Sequence, residues 1–374
     1  MVLYLVDPRN TTKPYNFELM WGLRRNGYPF VFIGYVPKWW GKYSPVKEVN
    51  PFLPISRGVF ENKHIQYMIA NITQSMEMFF GYLRFMPSLK EDDVIHFLWF
   101  TSPSIETHIV PRVSWRVGKL VHTAHNLLPH RERKDDIKLF SNLYRYMDTV
   151  IVHAEATRDE FHEMFGTNTQ VIVIPHGNLE NFYNTFDETD YQQSKRFYEQ
   201  RLGKLTRPIF LFMGPIKRYK GFEVLIKAVD VLNQKGLQFS VVVKDKPRKV
   251  IPKLYYLAAE LPYSHVGLIY RYVDVVVLPH TRISQSVTLF EAGYFSKPVI
   301  VSRVGGLPEV VRDGVDGLVF DKNDHLQLAD RMERFIRRPD MIKLMGESFK
   351  SHLIENYGWD TIIDKYVRIY GLTH

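Results

Sequence analysis

Short apolar runs alternate along this chain with stretches in which apolar residues recur every three or four positions. Val2–Asp7, Phe30–Tyr35, Val94–Trp99, Lys119–Thr123, Thr149–His153 and Gln170–Ile174 predict buried strands, and Phe17–Asn26 and Ala156–Phe165 predict helices between them. The pattern repeats with strands at Ile209–Met213, Phe239–Val243, Asp274–Leu278, Pro298–Val301 and Leu318–Phe320. Helices are predicted at Phe222–Gln234, Lys253–Leu261, Thr288–Phe295 and Leu326–Arg337. Strand and helix in alternation predict an α/β protein with doubly wound parallel sheets. Between the two sets, the charged and tyrosine-rich Tyr183–Leu205 predicts a linker. From Trp359 to Tyr370, apolar residues at helical spacing (Ile362, Ile363, Tyr366, Val367, Tyr370) predict one more helix.

Length supports two such sets. At 374 residues and 45% hydrophobic content, the chain exceeds the ~250–300 residues at which a single core stops growing. The expected domains are 1–190 and 205–356, with a C-terminal segment 357–374. The net charge of +9 is unevenly spread: residues 1–134 hold 17 Lys/Arg against 10 Asp/Glu, residues 135–190 hold 3 against 11, and residues 191–374 hold 29 against 19. A basic second half suits a diphosphate ligand and a basic first segment suits anionic lipid or nucleic acid. The chain has no cysteine, which excludes disulfides and thiolate metal sites. The first residues lack the basic leader of a signal peptide, and no apolar run reaches the ~20 residues of a membrane span. The expectation is a cytoplasmic protein, with peripheral contact to the inner face of a membrane left open.

Two segments carry the candidate chemistry of the second half. Phe290-Glu291-Ala292-Gly293-Tyr294, the strand through Ser302 and then Val304-Gly305-Gly306-Leu307-Pro308-Glu309 form the order in which an open α/β sheet builds a ligand crevice. Taken alone, the strand and the Gly-Gly turn are ordinary. The company is not: Val273–His280 is a strand running into the small polar loop Thr281–Ser286, and Asp313–Phe320 is a turn feeding a further strand. In Phe212-Met213-Gly214-Pro215-Ile216-Lys217-Arg218-Tyr219-Lys220-Gly221-Phe222, a small residue and three cations sit between a strand and a helix. That arrangement lets a backbone approach a phosphate, neutralises it and adds a helix dipole. The alternative is a solvated basic loop.

Together these segments resemble the donor-binding half of the family 4 retaining glycosyltransferases, and the resemblance extends with gaps over most of the chain. It implies the GT-B fold, two Rossmann-like doubly wound domains facing across a cleft, with the C-terminal helix crossing back onto the first domain. Gly214, Lys217, Arg218 and Lys220 match the loop that grips phosphate, and Lys220-Gly221 matches its Lys-Gly end. Glu291 matches the helix-opening glutamate that holds ribose hydroxyls, a role suited to a carboxylate because each oxygen can accept a hydrogen bond. Its alternative reading is a glutamate favoured only by the helix dipole. Ser286, Val287 and Thr288 match a polar helix start whose amides meet the diphosphate. In the first half, Leu120–His130 matches a strand ending in His-Asn, which implies His125 and Asn126 as the catalytic-side residues facing the donor sugar; a histidine at a strand end is otherwise structural. His96 and His176 read as scaffold.

The implied activity is transfer of a sugar from a UDP- or GDP-sugar, with retention, to a glycan or lipid-linked acceptor, with no cofactor and no nucleic acid. No Asp-x-Asp pair of the chelating kind and no His/Cys cluster occurs, so metal independence is expected. Three positions depart from the family. Pro215 stands where many members have Arg, Ile283 where many have Glu, and Asp7–Thr12 replaces a Gly-Gly turn. The first two keep open a catalytically silent GT-B subunit that binds a partner glycosyltransferase or glycan, and an epimerase of the same fold is a weaker alternative. Aromatics interleave with cations at Tyr35–Tyr43 and Met78–Phe85, which suits a membrane interface or a domain core.

Overall fold

The computed structural model describes residues 1–37, 40, 45, 76–129, 134–166, 168–186, 188–245, 254–258 and 261–372. The chain divides into two compact units, one formed by Met1–His153, Thr157–Ile174 and Asp360–His374, the other by Ala154–Ala156 and Pro175–Trp359.

The first unit holds β1 (Leu3–Asp7), α1 (Lys13–Arg25), β2 (Val31–Gly34), α2 (76–85), β3 (Val94–Phe97), α3 (Pro103–Ser114), β4 (Lys119–Thr123), α4 (Asp136–Tyr144), β5 (Thr149–Val152), α5 (Glu155–Phe165) and β6 (Gln170–Val173). Its sheet runs β2-β1-β3-β4-β5-β6, all parallel, with Leu5 beside His96 and His96 beside Val121. The order reverses at β1, so the loops after β1 and β3 flank a switch point, the place where such sheets open a crevice. The apolar runs are continuous because helices cover both faces of a parallel sheet. The C-terminal residues close this unit's core: Tyr366 and Tyr370 are fully buried, the Tyr370 hydroxyl lies 2.7 Å from His96 Nδ1, and Lys119 Nζ donates to the Ile369 carbonyl at 2.8 Å. Burying each such ring contributes about 1.5–3 kcal/mol.

The second unit follows with α6 (Glu180–Tyr183), α7 (Glu188–Leu202), β7 (Ile209–Phe212), α8 (Phe222–Gln234), β8 (Ser240–Lys244), β9 (Leu254–Leu257), α9 (Tyr263–Tyr272), β10 (Val275–Leu278), α10 (Val287–Tyr294), β11 (Val299–Ser302), α11 (Leu307–Val310), β12 (Gly317–Phe320), α12 (His325–Arg337) and α13 (Asp340–Asn356); α14 (Trp359–Tyr370) then supplies the first unit's closing helix. The sheet order is β12-β11-β10-β7-β8-β9, again parallel, with its switch point between β7 and β10. Val224, Leu225, Ala228, Val229 and Leu232 form the buried face of α8, the 3.6-residue stripe that lays a helix on a sheet.

Two expectations are corrected and one open choice is decided. Within the helix expected at Lys253–Leu261, Leu254–Leu257 form the edge strand β9, paired from Val241 beside Leu254 to Lys244 beside Leu257. Leu254 and Leu257 fit helical spacing, but the open edge of β8 offers backbone hydrogen bonds, and Pro262 disfavours helical backbone in the residue before it. The expected linker is α6 and α7, packed in the second unit through buried Tyr183, Tyr191 and Tyr198; its high charge concealed an apolar face. Trp40, one of the aromatics considered for a membrane surface, is 1% exposed and meets Phe17 edge-on at 5.2 Å, so it is core. Lys38, Trp39 and Lys42 lie outside the described residues. Among the described residues no helix is long and apolar enough to cross a membrane.

Candidate active site

In the second unit, the loop after β7 is fastened to the strands on both sides. A Cβ placed on Gly214 would lie 2.3 Å from the Lys244 carbonyl oxygen, so β8 leaves room only for glycine there. The Ile216 amide donates to Asp245 Oδ2 at 2.5 Å. One turn of 3-10 helix, Arg218–Lys220, then runs into Gly221, which has φ +69° and whose added Cβ would lie 1.6 Å from the Pro279 carbonyl. The Thr281 amide donates to the Tyr219 carbonyl at 2.8 Å, tying the loop to the segment after β10. Glycine at 221 is thus required by both its left-handed backbone and the close approach.

The three expected cations separate. Lys217 and Arg218 are exposed, and Lys220 is half-buried. Desolvation pulls the Lys220 ammonium down to about 8; Glu291 opposes this, and Lys217 and Lys244 reinforce it. Lys217, Lys220, Lys244 and Glu291 therefore share one electrostatic field. Lys244 was missed in the sequence, where the available signal was a cation ending an apolar strand, Ser240-Val241-Val242-Val243-Lys244.

The segment after β10 is wedged between this loop and the Gly305-Gly306 turn. Gly305 has φ +54°, its added Cβ would lie 1.8 Å from the Ile283 carbonyl, and the Gly306 amide donates to the Ser284 carbonyl at 2.9 Å. Ser286 caps α10 with its backbone, its own amide donating to Gln285 Oε1 at 2.8 Å. Ser286 and Thr288 are buried and Val287 half-buried.

Glu291 lies in the second turn of α10 rather than at its opening, so the dipole is not what holds it. Tyr183 donates to Oε1 at 2.8 Å and Tyr270 to Oε2 at 3.0 Å. Each oxygen keeps a second acceptor site for a ligand hydroxyl. Burial raises its pKa, and the two tyrosines, Lys244 and Lys220 partly offset that. Tyr183 and Tyr270 come from α6 and α9, an aromatic pair invisible to motif reading because the two helices are far apart in sequence.

In the first unit, His125 is buried just beyond β4, with Asn126 half-buried after it. His125 Nδ1 lies 3.0 Å from His153 Nε2, and His125 Nε2 lies 3.5 Å from Thr12 Oγ1. Tyr15 sits edge-on to His125 at 4.7 Å. The other strand-end histidines are scaffold. His96 bridges Tyr370 and Thr123, both at 2.7 Å, and burial holds it neutral. His122 faces the Phe97 carbonyl at 2.8 Å, with burial taking it down to about 3. In the second unit, His176 stacks on Phe290 at 4.9 Å. Among the described residues, no group of His, Cys, Asp and Glu is placed to hold a metal ion.

Two switch points at strand ends, one with cations and a held carboxylate beside it, accord with what known proteins show. Residues 194–352 match the model of the glycosyl transferases group 1, and residues 14–178 match that of glycosyltransferase family 4. The chain belongs to the family 4 GT-B glycosyltransferases. Its two six-stranded parallel sheets are the GT-B fold. Sucrose-phosphate synthase from Thermosynechococcus elongatus superposes with a TM-score of 0.72 at 16% identity, covering 99% of this chain and 98% of that one. HepE from Anabaena, solved in complex with UDP and glucose, superposes at 0.65 with 14% identity, covering 100% and 99%. Among curated proteins, this glycosyltransferase is 26% identical over 308 residues to the D-inositol 3-phosphate glycosyltransferase of Corynebacterium diphtheriae, covering 75% of this chain and 70% of that one.

Proposed function

We propose that this glycosyltransferase moves a sugar from a UDP-sugar to a hydroxyl of a saccharide or lipid-linked acceptor, with retention and without a metal ion. The observation that carries the reading is the Lys220, Lys244 and Glu291 cluster at the switch point of the second unit, held there by Gly221 and Gly305. The complex of HepE with UDP and glucose supports uridine as the base. The inositol-phosphate relatives make a phosphorylated polyol the first acceptor to try. An exposed apolar stripe on α2, Met76, Phe79, Phe80 and Leu83, supports an acceptor presented at a lipid surface.

In chemical terms, the bond from the anomeric carbon to the β-phosphate oxygen breaks, and the diphosphate leaves toward Lys220, Lys217 and the start of α10 at Val287. The acceptor oxygen bonds to the same face, and its proton goes to the departing diphosphate. Cations and amide dipoles arranged in advance stabilise that developing charge without reorganisation. Glu291 holds the ribose, and His125 with Asn126 meets the sugar.

Calorimetry with UDP, GDP and their glucose conjugates tests the donor, and slow donor hydrolysis without acceptor tests turnover. UDP binding with hydrolysis that survives excess EDTA is the expected result. Nucleotide binding with no turnover under any acceptor would point instead to a silent subunit, and activity lost to EDTA and restored by magnesium would overturn metal independence.

A further inference from the structure

The protons between His153 and His125 are ordered by a single backbone carbonyl. Ile174 O, just past β6, can only accept, so His153 Nδ1, 2.8 Å away, carries a proton. His153 is buried, and desolvation takes its imidazole down to about 4, so the ring is neutral and Nε2 bears a lone pair. His125 Nδ1, at 3.0 Å, must then be the donor between the two rings.

The far side of His125 is also ordered, but it pulls weakly toward the other tautomer. Asn16 Nδ2 donates to Asp7 Oδ2 at 2.8 Å and to Asn10 Oδ1 at 2.9 Å, which turns Asn16 Oδ1 toward Thr12. The Thr12 hydroxyl donates to that oxygen at 3.0 Å. Thr12 Oγ1 therefore turns a lone pair, not a proton, toward His125 Nε2. Which ring nitrogen carries the proton is set by the bond the other one makes, and the 3.0 Å contact with His153 outweighs the 3.5 Å one with Thr12.

We propose that His153 is a positioning residue: anchored on the Ile174 carbonyl, it holds His125 as the Nδ1–H tautomer, so that Nε2 accepts the proton of a substrate hydroxyl instead of offering one. The inference rests on the reading of His125 as a residue that meets the reacting sugar. It also narrows the ligand: the group at Nε2 must be a hydroxyl able to donate, so a fluorine in its place loses the contact.

Long-range proton–nitrogen NMR spectra of the histidine side chains, with His125 assigned through His125→Gln, read the tautomer in the unliganded protein. His125 is expected as Nδ1–H in the wild type and in His153→Gln, whose amide oxygen accepts in the same place, and as Nε2–H in His153→Phe. In a transfer assay with UDP-glucose, His153→Phe should lose roughly ten- to hundredfold in kcat/KM, and His153→Gln should recover part of that loss. Circular dichroism melting shows whether each variant is folded. An Nε2–H His125 in the wild type, or an unchanged tautomer in His153→Phe, overturns the proposal. So does a switched tautomer with unchanged kcat/KM. Failure of the underlying reading shows separately, as unchanged transfer in His125→Gln.

Discussion

In the second unit, Lys217 and Arg218 are exposed and Lys220 is half-buried, and the loops around these cations are fixed by backbone, through Gly214, Gly221 and Gly305. In the first unit, Asp7, His96, Glu106, His122 and His153 are all buried, each held by hydrogen bonds between its side chain and neighbouring side chains or backbone. Both units place their loops at equivalent switch points of similar sheets, so topology does not explain the contrast. Charge does: on the proposed function, a diphosphate needs cations that stay ionised and reachable, whereas uncharged hydroxyls are served by neutral groups of fixed tautomer. Burial costs a cation its charge but gives a histidine a defined proton.

The sharpest break in that contrast is expected at Gly221. Gly221→Ala puts a Cβ against the Pro279 carbonyl in a left-handed conformation, and urea denaturation should show a loss of roughly 3 kcal/mol together with loss of UDP binding. An alanine tolerated there would mean that the loop is not held by its backbone.

Lys220→Ala should weaken UDP binding by about 1.5–3 kcal/mol in calorimetry, while His122→Gln in the first unit leaves it unchanged. The pH dependence has a definite sign. With the free ammonium at about 8, the cation is present below that pH and lost above it. A bound diphosphate raises its pKa, so binding takes up a proton above pH 8. UDP affinity should therefore fall as pH rises past 8, by no more than about tenfold per unit, and Lys220→Ala should flatten the profile.

Glu106 tests the first unit. It accepts from Tyr82 at 3.0 Å, Thr101 N at 3.0 Å and Ser102 N at 3.2 Å, yet burial, with a smaller push from Asp7, raises it to about 8. Its folded pKa lies above the unfolded value, so the stability it contributes is full below about pH 4 and is lost as pH rises through 8. Melting temperature should decline from pH 5 to 9 in the wild type and decline less in Glu106→Gln. Equal slopes would show that the carboxyl ionises freely in the folded protein.

The smallest effect is expected at the surface of α2. Wild-type protein should sediment with anionic vesicles in low salt and release in high salt, and Phe80→Ser/Leu83→Ser should weaken this at unchanged melting temperature. No sedimentation of the wild type would favour an acceptor that is not lipid-bound.

Pattern and motif suffice for much of this protein. Period and run length mark the strands through β6 and from β7 to β12 except β9, because strands buried on both faces must be apolar without interruption. Gly214, Lys220, Gly221 and the Gly305-Gly306 turn are readable because a loop of a few residues between a strand and a helix encodes its own geometry. What the tertiary structure alone decided is what lies next to what across the sequence. Tyr183 and Tyr270 grip Glu291 from helices α6 and α9, Lys244 arrives from a neighbouring strand, and His153 meets His125 because β4 and β5 pair. Trp40 could be core or surface until its neighbours were known, and Leu254–Leu257, read as helix, became strand because the edge of β8 was open. Hydrophobic period is a local property carried by each residue and its near neighbours, whereas burial, pKa and proton direction depend on groups that only folding brings within a few ångströms.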